Sequence, residues 1–157
     1  MQKKWWLIAI ITILLGLTYP LVFKKPTPTA IIGGKTINVE LAKTPEDLQK
    51  GLMNRNFLAP NSGMLFIFPH SDIWPFWMKN TLIPLDIIWL APSKVEGIKT
   101  IVDMTTLNPP TDINSNTNIP EYSPKSPANY ILEVNAGFIK ENNLKIGDKV
   151  EIKDLSI

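Results

Sequence analysis

The sequence predicts a mainly β (α+β) domain: a small curled or closed, mostly antiparallel sheet or barrel of about seven or eight short strands, with one or two short helices. One N-terminal transmembrane helix is expected ahead of it. Three observations carry this reading. Short runs of alternating or wholly apolar residues recur between turns rich in glycine, proline and asparagine. A single stretch, beginning at Thr44, carries a full set of helix-start signals. Nineteen residues, Trp5 to Phe23, pass without a charge; at about 1.5 Å per residue they span roughly 28 Å, close to the apolar thickness of a bilayer.

Trp5, Trp6 and Tyr19 stand near the ends of that run, where aromatic rings favour the membrane interface. Leu17 to Pro20 offer no small-x-small cleavage pattern, so residues 1–25 read as a membrane anchor or uncleaved signal segment. Lys3 and Lys4 precede the run and Lys24 and Lys25 follow it; the free amino terminus adds one charge to the first side. This favours a single-pass protein of the cell membrane with its soluble domain on the extracytoplasmic side. Residues 26–35 then read as a spacer and first hairpin, and 36–157 as a single β-rich domain.

Ahead of the domain, Ile31 and Ile32 lead into Gly33-Gly34, a hairpin turn that glycine allows. From Thr36 the pattern alternates, with Ile37, Val39 and Leu41 on one face of a half-buried strand. Thr44 can cap a helix, Pro45 suits its first position, and Glu46 and Asp47 complement its positive end. Leu48 and Leu52 would face the core, with the helix ending near Met53 to Asn56. Met64 to Phe68 is an apolar strand, followed by a turn over Pro69, His70, Ser71 and Asp72. Trp74 to Lys79, Leu85 to Leu90 and Val95 to Met104 are further strands. Thr105 to Pro127 holds five prolines and four asparagines in 23 residues and reads as a long irregular loop. Tyr130 to Val134 returns to strand, Phe138 to Asn143 forms one or two helical turns, and Val150 to Ile152 is the final strand.

Composition excludes several chemistries. The chain has no cysteine, which removes disulfides, thiol catalysis and cysteine-bound metals. His70 is its single histidine, so no zinc site of the usual kind can form, and no nucleophile-elbow pattern accompanies any serine. No metal or cofactor is expected. Residues 26 to 157 hold 12 basic and 14 acidic groups without a basic cluster, so there is no electrostatic footprint for nucleic acid.

The run from Phe76 to Asp86 is the most unusual. A strand through it would place Trp77, Lys79 and Thr81 on one face and Phe76, Met78 and Asn80 on the other. Asp86 shares a face with Ile88 and Leu90 in a strand apolar on both sides, so it is expected to be at least partly buried and to need a partner. Lys79 and Arg55 are the natural candidates. The residues support two readings. Either this is a satisfied ion pair or turn-capping network, or Arg55, Lys79, Asn80, Thr81 and Asp86 meet a small anionic or saccharide ligand. Trp74, Phe76, Trp77 and Trp89 form an aromatic frame that either fills the core or stacks on a ligand.

The runs Val39 to Ala42, Thr44-Pro45-Glu46, Gly51 to Arg55, Gly63 to Phe68, Phe76 to Thr81 (FWMKNT) and Pro84 to Ile88 resemble the "domain of unknown function 192" family. Ala128 to Gly137 and Gly147 to Val150 continue the match, which covers about residues 36 to 152. The resemblance implies a single β-rich prokaryotic domain, often behind a signal or membrane segment, with no ligand or activity attached. The family's polar positions fall on Arg55, Lys79, Asn80, Thr81 and Asp86. The loop 105–127 is longer and richer in asparagine than the family's usual connection. Three functions follow as expectations: a membrane-tethered binding module for a small polar or anionic envelope ligand, a scaffold or interaction protein of the envelope, and an envelope enzyme with Asp86 or Glu133 as acid–base group.

Overall fold

Turn chemistry lays out the first strands as the pattern predicts. In the computed structural model, which describes residues 26–111 and 119–155, Gly33 and Gly34 take positive φ and join β1 (Thr29–Ile32) to β2 (Lys35–Ala42). Thr44 caps α1 (Pro45–Lys50): its hydroxyl accepts from the Asp47 N–H and donates to the Asp47 carboxylate. Then follow β3 (Ser62–Asp72), β4 (Phe76–Trp77), β5 (Leu85–Pro92), β6 (Ile98–Leu107), β7 (Glu121–Tyr122), β8 (Ala128–Asn135), α2 (Phe138–Glu141) and β9 (Lys149–Lys153). The apolar run 5–23 lies outside the described residues, as does the centre of the long loop, 112–118. Among the described residues no helix is long and apolar enough to cross a membrane.

Seven strands close a barrel in the order β1-β2-β3-β8-β5-β6-β9, with β9 pairing back onto β1. Closure leaves the sheet without an open edge. Its pairs are antiparallel except β2–β3, which is parallel and bridged by α1 and the chain after it. β4 and β7 form a separate two-stranded ribbon.

Two apolar layers result. The interior takes alternate residues of every barrel strand, among them Ile32, Val39, Leu65, Ile88, Ile101, Leu132 and Val150. The opposite faces of β3, β5 and β8 carry Phe66, Ile87, Trp89 and Ile131, and are covered by Leu52, Leu58, Phe76, Met78 and Ile83. This second layer is why β5 is buried on both sides over six consecutive residues.

Four expected boundaries are corrected. The helix stops at Lys50, because Gly51 adopts φ 47° and ψ −135°, a conformation closed to other residues; Leu52 is buried from beyond the helix. Pro69 to Asp72 is not a turn: β3 runs on to Asp72 through an irregularity after Ile67. The expected strand Trp74 to Lys79 shrinks to Phe76–Trp77, since the chain turns at Asn80 (φ 50°) to cover the barrel instead of joining it. β6 starts and ends later than expected, so the irregular loop begins at Asn108.

Among the glycines described, Gly63 has the closest neighbours. A Cβ there would lie 2.5 Å from the Glu133 carbonyl oxygen and 3.0 Å from Val134 Cγ1. Gly63→Ala is expected to force β3 and β8 apart and to lower unfolding free energy by about 2 kcal/mol or more, measured by urea denaturation.

Candidate functional site

β8 is a central strand, paired with β3 on one side and β5 on the other. Glu133 sits in its outward-facing series, directly opposite Met64 and Ile87. The covering layer closes over it, leaving the residue 5% exposed. Its Oε2 is buried and has no hydrogen-bond partner among the described residues. Burial is the main influence on the carboxyl and pushes it up from its ordinary value to about 8, while the Arg55 guanidinium pulls weakly the other way. At neutral pH the group is therefore largely protonated.

A pocket of about 400 Å³ opens above this carboxyl. Gly51, at the end of α1, and Thr81 line it together with Glu133. A side chain at Gly51 would press on Phe66, 3.0 Å from its ring edge, and reach to 3.8 Å from Glu133 Oε2. The glycine thus ends the helix and also keeps bulk off the carboxyl. Phe66, Phe68, Trp74, Phe76 and Trp77 form the walls. Phe68 stacks on Trp74 with centroids 4.3 Å apart, and Phe66 meets Phe76 edge to face at 4.9 Å. The Trp74 indole N–H donates to the His70 carbonyl, and the Trp89 indole N–H donates to the Trp74 carbonyl, both at 3.1 Å. These bonds hold the wall in place from below.

The structure divides the residues singled out in the sequence. Thr81, Trp74, Phe76 and Trp77 line the pocket. Trp89 is core, 2% exposed beneath it. Asn80 makes the turn, and its carbonyl accepts the Asn54 N–H at 2.8 Å, tying the wall to the chain after α1. The Lys79 ammonium lies 5.2 Å from the Trp77 ring centroid. The Thr81 hydroxyl donates to the Lys79 carbonyl at 3.2 Å.

Arg55 is not the partner of Asp86. It makes a two-pronged pair with Glu40, at 2.5 and 2.7 Å, which holds the Glu40 carboxyl below its ordinary range. With both side chains a third or more exposed, such a pair is worth about 1 kcal/mol at most. Asp86 is buried as expected, but it faces the barrel interior, away from the pocket. It accepts the Thr106 hydroxyl at 2.6 Å and the Ile139 N–H at 2.7 Å, so its partners come from β6 and α2 instead of Lys79 or Arg55.

From the sequence alone Glu133 is only one candidate acid–base residue. The signal for more was a lone acid within Tyr130-Ile131-Leu132-Glu133-Val134, a strand apolar on both faces. Among the described residues no group of three His, Asp or Glu is placed to hold a metal.

The polar and aromatic stretch that carries the resemblance, Phe76 to Thr81, is thus one wall of this pocket. A family model, DUF192, described as an uncharacterized ACR, matches residues 29–152. The chain belongs to the DUF192 family. The DUF192 domain resembles a UPF0127 protein of Pyrococcus abyssi, at 34% identity over 106 residues, 64% of this chain and 74% of that one. Among solved structures it is similar to a Novosphingobium aromaticivorans protein of unknown function, with 30% identity, TM-score 0.63, and 80% of this chain and 83% of that chain covered. It is also similar to a Sinorhizobium meliloti protein provisionally named a transcription regulator, with 34% identity, TM-score 0.65, and 82% and 93% covered. The DUF192 match begins at β1, the strand that closes the barrel, and ends within β9.

Proposed function

We propose that the DUF192 domain of this chain is a binding module for a small organic ligand, which enters between the aromatic walls and meets the carboxyl of Glu133. One observation carries the reading: a buried carboxyl oxygen without a partner lines an aromatic pocket. An unsatisfied buried polar atom costs about 1–3 kcal/mol, which a ligand's hydrogen-bond donor would recover. The expectation of an anionic ligand held by Arg55 and Lys79 loses its motivation, because Arg55 is engaged by Glu40 and the pocket offers a carboxyl. The net charge of −2 over residues 26–157 does not favour nucleic acid, whatever the Sinorhizobium relative is named. The uncharged run Trp5 to Phe23 supports tethering this module at the outer face of a membrane.

A second reading, an enzyme with Glu133 as general acid–base, is favoured by a carboxyl held near 8, within the range useful for proton transfer at neutral pH. The binding reading is tested by ligand-observed NMR of a fragment library against the wild type and Gln49→Trp. Gln49 is an exposed residue of α1 on the pocket rim, so tryptophan there fills the mouth and leaves the barrel intact. Fragments that bind the wild type and are lost from the variant support the site. A library that binds both chains alike, or neither, overturns it.

A further inference from the structure

We infer that the ligand of this pocket is an organic ammonium ion, a primary amine carrying an apolar or aromatic body, with its charged head on Glu133. The inference rests on the pocket reading and adds the ligand's charge. Four observations point the same way. Glu133 Oε2 is an acceptor without a donor among the described residues, and a primary ammonium brings three donors. The residues directly across from Glu133, Met64 and Ile87, supply no counter-charge from β3 or β5. Arg55, the cation that acts on Glu133 from the chain after α1, is bound two-pronged to Glu40 and compensates it only in part. The walls are built of aromatic rings, a residue type that can hold a cation over its face, as the Trp77 ring holds the Lys79 ammonium at 5.2 Å.

The remaining charged groups at the pocket are Lys50 from α1 and Glu121 from β7. Both are exposed, so the flexible Lys50 side chain can turn its ammonium into water while Glu121 adds attraction at the mouth. The volume, about 400 Å³, suits a small ligand with one ring or a short chain.

Binding a cation to Glu133 requires its ionised form. Because burial holds the free carboxyl at about 8, an ammonium that binds at neutral pH must displace a proton from it. Affinity should then rise with pH, by up to tenfold per unit below about pH 8, and level off above it. A neutral ligand of the same shape has no dependence of that sign, and an anion, which only the protonated acid can accommodate, binds less tightly as the pH rises.

The test uses three probes of one shape on the full-length protein: phenethylammonium, 2-phenylethanol and phenylacetate. Calorimetric titration in buffers of different ionisation enthalpy counts the protons released. Phenethylammonium is expected to bind at least tenfold tighter than the alcohol near pH 8, to release up to one proton per site near pH 7, and to lose both properties in Glu133→Gln. Alcohol or phenylacetate binding as tightly as the ammonium, blocked by Gln49→Trp, would overturn the cationic ligand and leave the pocket standing. An ammonium affinity that neither falls with acid nor changes in Glu133→Gln overturns it too. No binding of any probe at millimolar concentration overturns the cationic ligand and the pocket together.

Discussion

The wild-type protein is expected to lose stability steadily as pH rises from about 4.5 to about 8, and Glu133→Gln to remove that slope. The ordinary carboxyl value is 4.5, and burial raises Glu133 to about 8 in the folded chain. Between those two values the folded protein keeps a proton that the unfolded chain gives up, so raising the pH favours unfolding. The slope is about 1.4 kcal/mol per pH unit. Across the window it amounts to a few kcal/mol, a large share of the 5–15 kcal/mol typical of a domain. Below about pH 4.5 the term is fully present as stability, and above about pH 8 it is gone. Glutamine has the shape of the protonated acid and no titration. The two proteins should therefore unfold within about 1 kcal/mol of each other near pH 5, with the variant the more stable at pH 8. Glu40 contributes in the opposite sense: Arg55 holds it low, so its part is lost only as the solution becomes more acid than its ordinary range. Urea unfolding at four or five pH values measures the slope. If the slope survives in Glu133→Gln, the buried acid is not its source.

Asp86→Ala should be the most destabilising single change at a polar residue of the barrel, by about 3 kcal/mol, with Asp86→Asn intermediate. The carboxylate is fully buried and accepts two short hydrogen bonds, from Thr106 and from the first turn of α2. Alanine strands the Ile139 N–H and leaves a void among Ile88, Leu132 and their interior neighbours. Asparagine keeps one acceptor oxygen but turns its amide toward the other donor. Because α2 has a single turn and is held through this contact, the Ile139 amide should also exchange with solvent faster in the alanine variant. A loss below 1 kcal/mol with unchanged exchange would mean that Phe138, Ile139 and Leu144 hold α2 by apolar contact alone.

These two acids show how far the residues could be read in order along the chain. Both lie in strands apolar on both faces, and for Asp86 that pattern was enough to foresee burial. Its partners were not foreseeable from spacing. Lys79 and Arg55 are close along the chain or near an element's end, whereas Thr106 and Ile139 arrive through strand pairing and the docking of α2. Glu133 presented the same pattern, but its significance depends on what covers the outer face of β8. The covering segments, Gly51 to Leu58 and Phe76 to Ile83, looked like a helix end and a strand; apart from the two residues of β4 they are turns and irregular chain, set by Gly51 and Asn80.

By itself the sequence determined what is local. Gly33-Gly34 makes a hairpin, Thr44-Pro45 starts a helix, residues of β2 alternate, and a mainly β fold follows from short strands between turns. Each depends on backbone conformation or side-chain period within a few residues. Only the tertiary structure decided that β2 and β3 pair in parallel, that β9 returns to β1 and closes the barrel, and that β8 lies between β3 and β5 beneath an aromatic wall. A strand's period says which residues share a face; it does not say which strand stands beside it or what packs on that face. Those choices are made by the burial of apolar area summed over the whole chain, and they turn one glutamate among fourteen acidic residues into the buried acid of a pocket.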